Sequence, residues 1–531
     1  MGKVYLLDCT LRDGGYVNDW RFGEDTIKGF GRKIAQTGIE MYEVGFLKGN
    51  SYDKDRAVFP DLDSFASVIQ PKAEHMTYVG MIDMGDPLPL ERIPAYDGSS
   101  VDMIRVIFKK DKMKAAYDYC KKIQELGYKL SVNFVGTDTY SDKEFVEGIE
   151  LFNTLRPYAM AIVDTFGLIK RKQFLRLVYL ADNNMEKGIT LCYHAHNNLQ
   201  QAMGNAEALV EMNLKRDLCI DACVFGMGRG AGNLNLELFA EYMNENYDTQ
   251  YRIEPMLEIM DEYLNDIYQK RFWGYSLPLY LSASTGAHPN YAIYLAEKDS
   301  LPVKAFHELL TGLPADVKVQ FSKENAEKYY REYQENYTDD KDALQQLSIQ
   351  LKDKKVLLLA PGSTLSEYKD TIEDVIAKQN PIVIALNFMG AGYDVDYVFS
   401  SNMRRYAKIQ GKTSAKCITT SNMKDCEKTD YVVNFSSYAS KEAEIIDNSG
   451  IMALKLLIAL GVKQVYIAGM DGYSGSGEMN YFDDKLEYDF SNVADLRNYL
   501  ISKEMQEVSK KMRLDFLTPT LYDLDEKEDS K

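Results

Sequence analysis

Histidine is scarce in this 531-residue chain, with five in all, and tryptophan is scarcer, with two. Positive charge is in the minority as well: 62 lysines and arginines face 80 aspartates and glutamates, a formal net charge of −18. A phosphate backbone wants a basic surface, so no nucleic-acid partner is expected, although a nucleotide needs only a local pocket. The seven cysteines, Cys9, Cys120, Cys192, Cys219, Cys223, Cys417 and Cys426, are odd in number and form no Cys-x-x-Cys pair. They read as free thiols of a reducing, cytoplasmic compartment. Long apolar runs are missing too: the one from Ile451 to Leu460 is broken by Lys455 and is too short for a bilayer. A strand pattern begins almost at once, leaving no room for a signal peptide, and position 6 is Leu where myristoylation wants Ser or Thr. No membrane partner is expected.

What is present is the composition of a globular protein, 45% apolar and 27% charged, in a chain too long for one ordinary core. Up to about residue 226, short apolar runs alternate with longer amphipathic ones. The strand candidates are Val4–Asp8, Met41–Phe46, Thr77–Ile82, Met103–Phe108, Lys129–Val135, Ala159–Asp164, Thr190–His196 and Cys219–Phe225. Intervening stretches such as Phe145–Leu155 and Leu199–Met212 carry apolar residues at helical spacing. Eight strand-helix units in roughly 250 residues predict an α/β architecture, a closed (β/α)8 TIM barrel over residues 1–250. Residues 251–345 predict a helical extension rich in Tyr and Leu, its polar stretch 337–347 being a linker or a solvated helix. Residues 350–531 predict a Rossmann-like open α/β domain with strands at Lys355–Ala360, Ile382–Leu386, Tyr397–Ser400, Asp430–Val433 and Gln464–Gly469.

A barrel places its reacting side chains at the carboxyl ends of the strands. The candidate strands finish on Asp8, on Glu43 with Gly45, on Asp83, Asn133 and Asp164, and on His194 with His196. His194 and His196 stand two apart on a strand and share a face. With Asp8 at the tip of the first strand they make a facial set for a divalent ion. Without a thiolate ligand, Mn²⁺ or Mg²⁺ is favoured, with Co²⁺ or Zn²⁺ as alternatives.

Three motifs, Asp8-Cys9-Thr10-Leu11-Arg12-Asp13-Gly14, His194-Ala195-His196-Asn197-Asn198 and Gly226-Met227-Gly228-Arg229-Gly230-Ala231-Gly232-Asn233, together resemble the DRE-TIM metallolyase superfamily, nearest its 4-hydroxy-2-oxovalerate aldolase branch. The resemblance implies that Asp8, His194 and His196 hold a metal, with Asn233 a ligand or a neighbour of the ligands. It implies that Arg12 steadies an enolate oxygen, that Asp13 positions Arg12, and that Asp164 lies near a bound 2-oxo acid. The branch carries a proton-transferring His in the loop after the Arg-Asp-Gly segment, where this chain has Gly15 and then Tyr16. Tyr16 or His288 takes that role, or the reaction differs. The cysteine of the hydroxymethylglutaryl-CoA lyases is missing from the glycine-rich motif.

In the second half, Ala360-Pro361-Gly362-Ser363-Thr364-Leu365 follows a predicted strand, where backbone amides at a helix start could cradle a phosphate. With Ala385-Leu386-Asn387-Phe388, Ser449-Gly450-Ile451-Met452 and Ile467-Ala468-Gly469-Met470-Asp471-Gly472, this resembles the Rossmann-like fold of bacterial sialyltransferases and 6-hydroxymethylpterin pyrophosphokinase-like proteins. The resemblance implies a nucleotide or diphosphate site lined by Gly362, Ser363, Asn387, Ser449 and Gly450. Those sialyltransferases use a histidine base, and no histidine follows His307.

The expectation is a metal-dependent aldolase that works through the enolate of pyruvate or a related 2-oxo acid. Its partner would be an aldehyde, by fold analogy a sugar aldehyde of surface-polysaccharide metabolism. The alternatives are a Claisen-type acyl-CoA condensing enzyme, or a nucleotide-sugar binding or transferase protein with an inactive barrel. A homo-oligomer is left open.

Overall fold

A computed structural model of the chain describes residues 2–298, 300–336, 338–424, 426, 429–474, 480–483 and 493–524. Tyr337, the first residue of the expected linker, lies outside them. The chain divides into two compact units, Met1–Pro289 and Asn290–Lys531.

The first unit is a TIM barrel of eight parallel strands: β1 (Val4–Asp8), β2 (Met41–Leu47), β3 (Thr77–Asp83), β4 (Met103–Phe108), β5 (Lys129–Phe134), β6 (Ala159–Asp164), β7 (Thr190–Ala195) and β8 (Leu218–Ala222). Each strand pairs with the next. The ring closes where β1 meets β8, from Val4 opposite Leu218 to Asp8 opposite Ala222, and β2, with Leu7 opposite Met41. A two-residue strand, Val58–Phe59, adds to β2 outside the ring. The strands are buried on both faces, which is why they read in the sequence as apolar runs. The last strand is shorter than its expected span, because Val224–Gly226 turns into a 3-10 segment with Phe225 at φ 60°. Side chains alternate between the two faces of each strand. Met41, Met103, Cys192 and Cys219 fall in one buried interior cluster. Two residues further along the same strands come Glu43, Arg105, His194 and Asp221, so the charged groups form the next layer toward the strand carboxyl ends.

The second unit starts with helices, among them Val303–Gly312, Lys323–Gln334 and Lys341–Leu351. The polar stretch expected as a linker or solvated helix is helical in that last element, which buries Leu347 and Leu351. Seven parallel strands follow: β9 (Lys355–Leu359), β10 (Ile382–Leu386), β11 (Tyr397–Ser400), β12 (Lys416–Thr420), β13 (Tyr431–Val433), β14 (Gln464–Ala468) and β15 (Arg513–Phe516). Their order across the sheet is β13-β12-β11-β10-β9-β14-β15. β12 and β15 are not in the sequence expectation, since Lys-Cys-Ile-Thr-Thr and Arg-Leu-Asp-Phe are short and carry little apolar signal. The apolar run at 451–460 lies mostly in helix Ser449–Ala459, which buries seven of its eleven residues. No helix among the described residues is long and apolar enough to cross a membrane.

Candidate active site

At the mouth of the barrel, β1 ends on Asp8 and the chain makes one helical turn, Thr10–Asp13. That turn decides which acid meets the histidines. Asp8 accepts from the Thr10 hydroxyl at 2.5 Å and, with its other oxygen, from the Thr10 amide at 3.3 Å. Burial pushes its carboxyl up to about 7 although both bonds to Thr10 pull it down. Asp13, five residues on and folded back over the barrel, places Oδ2 3.2 Å from His194 Nε2 and 3.5 Å from His196 Nε2. Among the described residues, Asp13, His194 and His196 are the set of possible metal donors whose ligand atoms all lie within 4.8 Å of one another. The expected partner Asp8 is replaced there by Asp13, because the helical turn carries the second acid inward while Thr10 occupies the first.

Three observations fit a divalent cation. Asp13 Oδ2 is buried without a hydrogen-bond donor, although it faces two imidazoles. Asn233 Oδ1 is likewise buried and unpartnered, while its Nδ2 donates to Met227 O at 3.0 Å and to Cys223 Sγ at 3.2 Å. Asn233 reaches its place because the glycine-rich loop folds onto itself: its amide donates to Gly226 O at 2.9 Å. Gly232, at φ 81°, lies so near that a Cβ would come 2.1 Å from the same oxygen. Thirdly, the clustered donors are two imidazole nitrogens and a carboxylate oxygen with no thiol among them, and burial pushes the neighbouring thiols of Cys9 and Cys223 up.

The site is held by a closed circuit of buried side chains. Arg12 Nε donates to Glu43 at 2.6 Å and its Nη1 to Asp13 Oδ1 at 2.9 Å. The other oxygen of Glu43 accepts from Arg105 at 3.4 Å, Arg105 donates to Asp221, and Asp221 bonds His194 Nδ1 at 3.1 Å. His194 then returns the circuit to Asp13. Three carboxylates against two guanidiniums leave one negative charge uncompensated while His194 is neutral. Accordingly Asp13 and Asp221 raise the His194 imidazole well above its ordinary range although burial pulls the other way. Burial, with the nearby charges of His194, Arg229 and Arg12, lowers His196 to about 3 against the pull of Asp13. A divalent ion here would supply the missing positive charge. Arg105 and Asp221 were not foreseen as site residues, and Glu43 was noted only for its place at a strand end. The available signal was a charge in the middle of an otherwise apolar, doubly buried strand.

The remaining expected residues divide. Tyr16 stands at the rim, 38% exposed as a residue, with its ring packed edge-on against Trp20 at 4.8 Å. Burial raises its phenol above the ordinary value, with Arg229 opposing. Asp164 spends both oxygens on the loop after β6, accepting from the amides of Leu168 at 2.8 Å and Ile169 at 3.0 Å. Burial brings its carboxyl to about 7. His288 packs edge-on against Phe166 at 5.2 Å, and burial lowers its imidazole to about 4.

In the second unit a cleft opens at the carboxyl ends of β9, β10 and β14, where the strand order reverses. Gly362, Asn387, Ser449 and Gly450 line it, with Arg405 and Arg497. Asn387 bridges Ser400 and Ser449, at 2.6 and 2.9 Å. The phosphate cradle expected after β9 meets a different arrangement. The Gly362 amide donates to Gly469 O at 3.0 Å and the Thr364 amide to Asp471 at 2.9 Å, while Ser363 turns its hydroxyl to Asp471 at 3.4 Å. A carboxylate of the chain itself sits where a phosphate was expected.

Comparison with known proteins adds to this geometry. Residues 3–261 match the family model described as HMGL-like. The 4-hydroxy-2-oxovalerate aldolase of Serratia proteamaculans (strain 568) is 26% identical over 240 residues, covering 44% of this chain and 69% of that protein. The enzyme of the same name from Desulfitobacterium hafniense (strain DSM 10664 / DCB-2) is 23% identical over 274 residues, covering 50% of this chain and 79% of that one. Among solved structures, the N-terminal domain of a proposed aldolase from Bacteroides vulgatus aligns with a TM-score of 0.47 at 22% identity, over 55% of this chain and 96% of that one.

Proposed function

We propose that this chain, an enzyme of the lyase class whose residues 3–261 match the HMGL-like family model, is a divalent-metal-dependent aldolase. It joins the enolate of pyruvate, or of a related 2-oxo acid, to an aldehyde, or releases the two from their adduct. The observation that carries this reading is the buried Asp13 Oδ2, within 3.5 Å of two imidazole nitrogens and beside an arginine held by Glu43 and by Asp13 itself. Asp13, His194 and His196 would hold the ion, with Asn233 Oδ1 as a further donor. When bound, such a cation acts as a Lewis acid on the carboxylate and ketone of a 2-oxo acid.

The chain's own groups do the rest. Arg12, fixed by Glu43 and Asp13, offers a stationary positive charge to an oxygen that becomes negative as the enolate forms. His194 is kept in one tautomer and orientation by Asp221. Tyr16 Oη, kept protonated by burial, can give a proton to the aldehyde oxygen and take it back in the reverse direction. His288 is the second candidate for that proton. Asp164 holds the β6 loop against which the acid would rest.

Exchange of the methyl protons of pyruvate in deuterated water tests the first step without knowing the aldehyde. Metal-dependent exchange is expected, strongest with Mn²⁺ or Mg²⁺ and weaker with Co²⁺ or Zn²⁺. Exchange absent with all four ions would end the aldolase reading.

For the second unit the reading is a Rossmann-like, cytoplasmic nucleotide or nucleotide-sugar binding domain, which would make the aldehyde a sugar aldehyde. Its support is the cleft at the reversal of strand order, the usual ligand position in open parallel sheets. Arg405 and Arg497, which line the cleft, would meet phosphate charge. Calorimetry with cytidine, uridine and guanosine nucleotides decides it, and no heat from any of them removes the assignment.

A further inference from the structure

Most of the buried cations in this acidic chain are paired: Arg12 and Arg105 in the circuit, Arg216 with Asp182 at 2.6 Å, Lys72 with Asp102 at 2.6 Å. Two cations at the barrel mouth are not. Among the described residues, neither the Arg229 guanidinium nor the Lys48 ammonium has a hydrogen bond or a carboxylate within 4.0 Å. Each lies instead against aromatic rings. Arg229 stands 5.0 Å from the centre of the Tyr16 ring, and Lys48 stands 4.6 Å from Trp20 and 4.5 Å from Phe46. The three rings form one group, Trp20 meeting Tyr16 at 4.8 Å and Phe46 at 5.6 Å, and Arg12 lies over Phe46 at 5.8 Å. Asp83 and Asp86 reach Lys48 only at longer range.

Both cations come from segments that also build the reaction centre. Arg229 belongs to the glycine-rich loop that delivers Asn233, and its charge is felt by His196 and His288. Lys48 directly follows β2, the strand of Glu43. Partly desolvated cations without counter-ions, on a protein with surplus carboxylates, cost stability unless a bound anion completes them.

We propose that Arg229 and Lys48 receive a negatively charged group, phosphate or carboxylate, on the aldehyde partner. This rests on the aldolase reading and names the class of its second substrate. Arg12 and the ion-binding cluster are already assigned to the 2-oxo acid, which leaves the two rim cations for the other reactant. The aromatic group screens them from water and so strengthens their hold on an anion. An uncharged aldehyde gains nothing from them.

The test compares kcat/KM of the full-length, Mn²⁺-loaded enzyme for pyruvate addition to glyceraldehyde 3-phosphate against glyceraldehyde, and to succinic semialdehyde against butanal. The charged member of at least one pair should be preferred roughly 10- to 100-fold, and the pair that shows it identifies phosphate or carboxylate. Arg229→Gln and Lys48→Met should each remove most of that preference, and Arg229→Lys should keep part of it. A ratio near one in the unaltered protein, or a ratio that survives both substitutions, overturns the proposal. Methyl exchange of pyruvate in the same preparations keeps the two levels apart. Exchange with no charge preference refutes only the rim assignment, and absence of exchange refutes the aldolase reading and this proposal with it.

Discussion

Asp13→Ala is expected to empty the barrel of divalent metal, from about one ion per chain to almost none, because a site with three protein ligands tolerates the loss of one poorly. Pyruvate methyl exchange should fall about 1,000-fold or more, since the Lewis acid and the anchor of Arg12 disappear together, several kcal/mol in all. Asp8→Asn is the matching experiment. The Asp8 carboxyl is already pushed toward neutrality and is engaged by Thr10, so an amide of the same shape should leave metal content unchanged. Metal analysis of the two stripped and reloaded proteins reads the answer directly. Metal lost from Asp8→Asn and retained by Asp13→Ala would restore the acid at the strand end as the ligand.

Arg105→Met is expected to destabilise the barrel by about 3–5 kcal/mol, measured as a shift in the urea midpoint at constant slope. Arg105 is 1% exposed and bonds Glu43 and Asp221, so its removal leaves Asp221 buried without its guanidinium and Glu43 with Arg12 alone. The double substitution Arg105→Met with Asp221→Leu should recover part of the loss, because it takes away one stranded charge. A loss below about 1 kcal/mol for Arg105→Met would mean that the circuit contributes no more than a surface ion pair.

The barrel strands were legible because parallel strands covered on both faces must be apolar along most of their length. Their ends were legible because polar residues gather where the strands open into the mouth of the barrel, buried though they are there. The choice between Asp8 and Asp13 was not legible. Both acids follow the same strand, and the difference lies in one helical turn, Thr10–Asp13, too short to show a period. Arg105 and Asp221 escaped notice for the opposite reason. They sit inside strands, where the eye discounts a lone charge, and only the strand register shows that they face one another across the barrel. In the second unit, β12 was missed because it is buried despite two threonines and a lysine in five residues, and β15 because it is a short, half-exposed strand with two charges in four residues. The glycine turn after β9 was legible as a turn, but its use was not, since the carboxylate that fills it comes from Asp471, more than a hundred residues away.

The closed circuit at the mouth has a consequence for how this barrel can be divided. Arg12, Asp13, Glu43 and Arg105 come from the first half of the barrel, and His194 and Asp221 from the second. Neither half alone can hold an ion, and although the two arginines of the first half balance Asp13 and Glu43, the second half would bury Asp221 with only an imidazole. A chain cut between β4 and β5 should therefore gain metal affinity and barrel closure in the same step when its pieces are mixed, so that bound metal would report directly on reassembly.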